Sequence, residues 1–124
     1  MRPPAEPPRL VGRILRLPER PRPRVLVTLS NSREALDEER IRTQLAGEGY
    51  LMVRWQCEPA TGYPPHAHIY PETMVLLRGN LALILPDEGR MLDITPGDRV
   101  EIPRGLSHGT MAGAEGAVYL VGTR

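Results

Sequence analysis

The sequence predicts an all-β fold, either a sandwich or a barrel, and two patterns support this prediction. From Tyr50 onward, short apolar runs are separated by glycine, proline, asparagine and aspartate, which is typical of strands joined by tight turns. In the first run, Leu51, Val53 and Trp55 occupy every second position, which is the period of a strand with two different faces. At 124 residues the chain suits one domain with one core.

Residues 1–23 differ in composition from the rest of the chain. They hold half of the 14 prolines and six of the arginines. Proline-rich chain favours an extended conformation with few backbone donors, so we expect an N-terminal arm at 1–23 before a barrel domain at 24–124. Three interpretations of the arm stay open: a strand that packs on this or a partner subunit, a basic amphipathic helix over residues 10–16, and disorder.

A strand and a helix are predicted between the arm and the β-rich region. Residues 24–29 are rich in valine and leucine, which indicates a strand. Asn31 can cap a helix in which Glu34 takes the capping-box position, and Gly47 and Gly49 would end it. The apolar stripe of this segment is thin, so we expect one short helix on the surface.

The remaining strands are expected between turn residues. Their predicted ranges are 50–57, 66–70, 72–78, 81–85, 91–94, 99–102 and 117–121. Gly79-Asn80 is expected to form a turn, and residues 86–89 have the proline and glycine positions of a type I turn. Residues 95–98 and 103–105 predict two further turns, of which the second directs His108 back toward the sheet.

Composition narrows the class of partner. The 16 basic and 15 acidic side chains nearly cancel, which argues against nucleic acid and membrane surfaces as partners. No apolar run is long enough to span a bilayer, and the single cysteine, Cys57, has no partner for an internal disulfide. We therefore expect a cytoplasmic protein.

The only three histidines, His66, His68 and His108, occur with Glu72 in one short region. A His-x-His pair places both imidazoles on one face of a strand, and Glu72 keeps the same parity if the extended chain continues. His108 must come from another strand. Three imidazoles and one carboxylate suit a divalent transition metal, namely Fe, Mn, Ni, Cu, Co or Zn, and contain too much nitrogen for calcium or magnesium.

These residues resemble the two signature motifs of the cupin superfamily. The matching residues are His66-x-His68-x3-Glu72-x6-Gly79 and Gly97-x5-Pro103-x-Gly105-x2-His108. The likeness covers about residues 50–122, with the core motifs in 62–112. It implies a double-stranded β-helix, or jelly-roll barrel, in which the four side chains bind a metal. The chain departs from the pattern at Ala60, where the first motif usually opens with glycine, and at Ala112, where the second usually closes with asparagine.

A metal with four protein ligands that accepts five or six keeps positions open for water or substrate, which favours a functional site over a structural one. The resemblance implies either a dioxygenase-like oxidoreductase or an isomerase or lyase that acts on a small molecule. A cupin that binds or senses a metal or small molecule without turnover is the alternative. Single-domain cupins often pair, so we expect a homodimer.

Few other residues are candidates for the chemistry. Tyr70 has the parity of the histidines and is the candidate catalytic group. Trp55 and Cys57 from a neighbouring strand, and Thr110 beside His108, are expected to line the pocket. A carboxylate clamp could come from three arginines, namely Arg54, Arg78 and Arg104.

Overall fold

The computed structural model describes residues 25–28 and 36–124. Their elements, in chain order, are β1 (Leu26–Thr28), α1 (Glu38–Gly47), β2 (Leu51–Cys57), β3 (Gly62–His66), β4 (Glu72–Leu85), β5 (Arg90–Ile94), β6 (Arg99–Ile102) and β7 (His108–Thr123). A 3-10 turn over Pro86–Glu88 joins β4 to β5. The arm expected at residues 1–23 lies outside the described residues, and within those residues no helix has the length and apolar character needed to cross a membrane.

Two long strands organise the sheet. The strand order is β1-β6-β4-β7-β2, and β5 and β3 pair with β4 and β7 respectively. All pairs are antiparallel, and β4 lies against β7 from Glu72↔Thr123 to Ile84↔Gly109. The first part of β4 also pairs with β6 and its last part with β5, while β7 pairs with β3 first and with β2 at its end. Each of the two long strands, β4 and β7, thus contributes to both faces of the structure. The predicted all-β jelly-roll architecture is confirmed.

The expected turn at Gly79-Asn80 is wrong, because β4 runs continuously through it. Gly79 has a φ of 82°, and the pairing with β7 shifts register on either side of it. A Cβ at Gly79 would overlap the carbonyl oxygen of Gly116, so only glycine allows the two strands to approach this closely while they bend. β7 is also longer than predicted, since it begins at His108 rather than at residue 117.

Helix α1 packs on the outside of the sheet, as its thin apolar stripe predicts. Its N-cap is Asp37, whose side chain accepts a hydrogen bond from the Arg40 N–H at 3.2 Å; the predicted cap Asn31 and Glu34 lie outside the described residues. Leu45 is its one buried residue in the described structure, and it packs in a cluster with Val75 and Leu120. The larger core lies between the two sheet faces and includes Leu76, Leu83 and Ile102. Burial of each such side chain stabilises the fold by about 1.5–3 kcal/mol.

An arginine connects the helix end to the start of β4. Arg99 donates two hydrogen bonds to the Glu48 carboxylate, at 2.9 and 2.7 Å, and one to the buried hydroxyl of Thr73 at 3.1 Å. This bidentate geometry fixes the planar guanidinium. Because Thr73 follows Glu72, the contact helps to hold the first residue of β4 in place.

Candidate metal centre

The four candidate ligand residues of the two motifs converge, although they lie on different segments. His66 ends β3, Glu72 begins β4 and His108 begins β7, where His66 and His108 are paired across the two strands. One ligand atom from each of the four residues lies within 4.8 Å of the others. Ligands on opposite sides of a transition-metal ion are about 4 Å apart, so the cluster needs little adjustment to hold one.

His68 reaches the cluster by a route that the sequence did not predict. The expected strand over 66–70 is wrong, because β3 ends at His66 and the chain bends at Ile69 and Tyr70. The carbonyl oxygen of His68 accepts a hydrogen bond from the N–H of Gly105 at 2.8 Å. Gly105 has a φ of 81°, which glycine adopts without strain. The turn in the second motif therefore holds the loop that carries His68.

The imidazoles and the carboxylate are in direct contact. Nε2 of His68 is 2.8 Å from Oε1 of Glu72, and Nε2 of His108 is 3.3 Å from the same oxygen. The ring centroid of His66 is 4.6 Å from each of the other two histidine rings. Glu72 is nearly buried and His108 is fully buried, whereas His66 is exposed. The cluster thus lies with one side toward solvent.

Backbone carbonyls orient two of the imidazoles. Nδ1 of His66 is 3.0 Å from the carbonyl oxygen of Pro64, and Nδ1 of His108 is 3.0 Å from that of Leu106. A carbonyl only accepts, so Nδ1 must carry the hydrogen in each ring. In the neutral ring the lone pair is then on Nε2, which is the arrangement that metal-ligating histidines usually have.

Burial and neighbouring groups shift the pKa values of Glu72 and His108. Burial by itself would raise the pKa of Glu72, but the neighbouring His108 and the positive charge that the three imidazoles can carry outweigh it and hold that pKa below its usual value. Burial likewise opposes the charged form of His108. The Glu72 carboxylate and the Leu106 carbonyl outweigh it and raise the pKa of His108.

The donor set fits a divalent transition metal. Oε1 of Glu72 is buried and, among the described residues, has no hydrogen-bond partner in acceptable geometry, although two Nε2 atoms lie close to it. A buried oxygen of this kind is costly unless another group satisfies it. A cation that binds the carboxylate and the Nε2 lone pairs would do so, and nitrogen-rich ligands favour a transition metal over calcium or magnesium.

A cavity of about 380 Å³ opens directly onto these four side chains. Tyr70 lies at its rim, 42% exposed, with its ring stacked on that of His68 at 5.0 Å. Trp55 and Thr110 also line the cavity. Cys57 does not, contrary to our expectation, because its side chain is buried in the core with its sulfur 3.8 Å from the hydroxyl of Tyr119.

The structure adds residues that no motif indicated. Tyr63 from β3 and Tyr119 from β7 line the cavity, and Met74 forms part of its inner wall. Burial and the adjacent Cys57 raise the pKa of Tyr119, so its hydroxyl stays protonated. Tyr119 lies within the predicted last strand and pairs with Trp55 across β7 and β2. Strand pairing, rather than local pattern, was the signal needed to place it.

The three arginines considered as a carboxylate clamp lie away from this cavity. None of the arginines in the described part of the chain is among its lining residues. Arg54 pairs instead with Glu38 of helix α1, with 3.3 Å between Nε and Oε2. Arg78 and Arg104 are exposed elsewhere on the surface.

Several solved structures share this fold. No protein-family model matches the sequence, and no curated protein is significantly similar to it. The polyketide cyclase RemF from Streptomyces resistomycificus is 32% identical over 60% of this chain and 53% of its own, with a TM-score of 0.56. An RmlC-like cupin from Shewanella frigidimarina is 18% identical over 60% of this chain and 64% of its own, with a TM-score of 0.54. This chain thus matches about half of the first protein and under two thirds of the second.

The similar structures differ in their chemistry. The lyase DddQ from Ruegeria pomeroyi, which acts on DMSP, is 28% identical over 59% of this chain and 36% of its own, with a TM-score of 0.50. An oxalate decarboxylase and a ribosomal oxygenase are also similar. Cyclase, lyase, decarboxylase and oxygenase roles therefore occur on one fold, which agrees with the rule that fold alone does not decide function. The fold and these likenesses show that the described chain has the double-stranded β-helix fold of cupin-like proteins.

Proposed function

We propose that this cupin is a metal-dependent enzyme that converts a small molecule beside a divalent transition metal held by His66, His68, Glu72 and His108. The buried, unsatisfied Glu72 Oε1 next to an open cavity is the observation that carries the proposal. When bound, such a metal supplies a Lewis acid that polarises a substrate oxygen. The likeness to a polyketide cyclase favours isomerase-, cyclase- or lyase-type chemistry, with dioxygenase-like oxidation as the other reaction that a cupin site of this kind supports.

The chain's own residues would orient the metal ligands and the substrate. The Nδ1 contacts to Pro64 and Leu106 keep the Nε2 atoms of His66 and His108 directed at the site. The protonated hydroxyl of Tyr119 is available as a hydrogen-bond donor within the cavity. Tyr70 would cover His68 at the rim and hold water away from that side. These roles position a substrate rather than transfer its protons.

Elemental analysis of the purified protein tests the metal proposal. We expect about one transition-metal ion per chain in the wild type and much less in His66→Ala and Glu72→Ala. Glu115→Ala is the control, since Glu115 is an exposed carboxylate on β7 that does not line the cavity. Unchanged metal content in both site variants would contradict the proposed ligand set. The identity of the metal then separates the reaction classes, because redox-inactive zinc excludes dioxygen activation.

A binding or sensing protein without turnover is the second candidate, and one observation favours it. Among the described residues, Glu72 is the only carboxylate that lines the cavity, and Tyr119 is held protonated. The lining thus has no carboxylate free to act as a general base once Glu72 binds a metal. Saturable ligand binding with neither product formation nor oxygen uptake would support this candidate and contradict the enzyme.

We also propose that the chain forms a homodimer through β2. In the described part of the sheet, β2 is at the end of the strand order and pairs only with β7. It carries Leu51, which is 79% exposed, and a strand edge with apolar side chains is prone to pair with another chain. Sedimentation velocity tests this proposal: we expect a dimer that Leu51→Arg weakens, and a monomeric wild type would contradict it.

A further inference from the structure

The walls of the cavity beside the candidate metal centre are mostly aromatic and apolar. Three aromatic side chains, Trp55, Tyr63 and Tyr70, stand at its mouth, each about 40% exposed. Trp55 and Tyr63 meet edge to face with their ring centroids 5.4 Å apart. Such an arrangement offers ring faces and edges that stack on a flat ligand at little entropic cost. The mouth therefore favours a planar, largely apolar molecule.

The charges around the cavity favour a ligand whose body is uncharged. In the part of the chain that the structure describes, Glu72 is the only lining residue with a formal charge, apart from the three histidines. No arginine of the described chain contributes to the lining, and the sequence contains no lysine. A charged group on the ligand, away from the metal, would lose water without gaining a counterion. The ligand body should therefore be neutral.

Two hydroxyls in the inner wall can bind a polar atom of such a ligand. Oγ1 of Thr110 is buried and, within the described residues, makes no hydrogen bond of acceptable geometry, although Tyr119 is near enough for their hydroxyls to affect one another. Both residues line the cavity, and each is at least nine-tenths buried. A buried hydroxyl without a partner is costly, and a ligand oxygen would satisfy it.

We propose that the site takes an uncharged, hydroxylated aromatic ring compound. Its ring would lie against Trp55 and Tyr63, one hydroxyl oxygen would face the His66, His68, Glu72 and His108 cluster, and a second oxygen would meet Thr110 and Tyr119. Only the position of the first hydroxyl rests on the proposed metal function. The ring and charge preferences rest on the cavity walls themselves.

A pair of ligands with the same shape tests the charge preference. The probes are 6-hydroxy-2-naphthamide and 6-hydroxy-2-naphthoate, which have nearly the same shape and differ in the charge and the N–H donors of the group opposite the hydroxyl. Calorimetric titration is carried out on the protein with a chelator and on the zinc-loaded protein. We expect the amide to bind at least about fivefold more tightly in both forms, because the carboxylate loses hydration. Binding of the carboxylate that is as tight as that of the amide in either form, or no binding of either, overturns the proposal.

Two variants separate the wall chemistry from general stability. Val53→Arg adds a cation to the lining, and we expect it to reduce the preference for the amide by about tenfold, whereas Met91→Arg, an exposed position on β5 outside the cavity, leaves it unchanged. Thr110→Val keeps the volume and should weaken amide binding by about two- to tenfold without a lower melting temperature. An unchanged preference in Val53→Arg, or an unchanged affinity in Thr110→Val, contradicts the proposed orientation.

The two proposals fail in different ways. A protein that takes up no metal but still prefers the amide would disprove the metal function and leave the ligand class intact. A protein that binds metal but prefers the carboxylate would disprove the ligand class and leave the metal function intact.

Discussion

Nε2 of His68 and Oε1 of Glu72 are 2.8 Å apart, although His68 lies in a loop and Glu72 is the first residue of β4. The hydrogen bond from Gly105 to the His68 carbonyl holds this loop against the turn before His108. The two cupin-like motifs are therefore connected by backbone contacts as well as by their shared site. Substitutions that disturb these backbone contacts should alter the site even though its four candidate ligand residues are unchanged.

The Glu72–His108 contact should give the metal-free protein a characteristic pH dependence. The pKa of Glu72 is lowered in the folded state, so its contribution to stability is present above about pH 4.5 and is lost as the pH falls through the lower folded value. The pKa of His108 is raised, so its contribution is present below about pH 6.5 and is lost as the pH rises through the higher folded value. The pair should stabilise the metal-free fold most between these limits.

Urea unfolding of wild type and Glu72→Gln, with a chelator, measures this difference. We expect the wild type to lose stability relative to the variant as the pH rises above about 6.5. With saturating zinc the trend should reverse, because a metal binds the neutral imidazole and protons compete with it. A wild type that gains stability relative to Glu72→Gln over this range without metal would contradict the lowered pKa of Glu72 and the raised pKa of His108.

Ala60 should be a strained position. Its φ is 56°, the one positive value at a non-glycine residue in the described chain, and it stands where the resembled motif usually has glycine. A left-handed conformation costs an L-residue about 1–2 kcal/mol, of which the greater freedom of glycine in the unfolded chain offsets about 0.4–1 kcal/mol. Ala60→Gly should therefore raise the free energy of unfolding by about 0.5–1 kcal/mol in denaturant titration. The control Ala46→Gly, inside helix α1, should lower it by about 1 kcal/mol; a destabilised Ala60→Gly would show that the strain is absent.

Gly62 should tolerate no side chain. A Cβ there would overlap the backbone carbonyl of Thr110 on β7, beside the cavity. We expect Gly62→Ala to destabilise the fold by about 1–3 kcal/mol or more, because two backbones must separate, and to weaken metal binding as β3 shifts. Gly47→Ala is the control, since a Cβ at Gly47 meets nothing within 4 Å. Equal unfolding free energies for the two variants would contradict the close approach of β3 and β7.

Local pattern predicted the elements whose signals are local. The strand predicted over residues 50–57 is observed at 51–57 because alternation and flanking turns define it, and the strand at residues 99–102 has the predicted limits. The continuity of β4 through Gly79 was not predictable, since a glycine with positive φ serves equally in a turn or a bend, and only the partner strand decides. The first half of β7 was missed because Gly109, Gly113 and Gly116 interrupt its alternation.

The candidate site likewise contains some residues that were predictable from the sequence and others that were not. The convergence of the histidines and Glu72 was predictable from motif spacing, because both motifs are short and carry their own turns. Tyr63 and Tyr119 were not, since their places in the cavity depend on which strands face each other across the barrel. The bend after His66 also depends on a contact with Gly105 that is distant in sequence.

Anomalous diffraction from a crystal of the metal-loaded protein tests the central claim most directly. Data collected on both sides of the absorption edge of the metal would locate the ion independently of any assay. We predict one strong peak within about 2.3 Å of Nε2 of His66, His68 and His108 and of a Glu72 carboxylate oxygen. A fully loaded crystal with no peak among these four side chains, or with its metal bound elsewhere on the chain, would contradict the account.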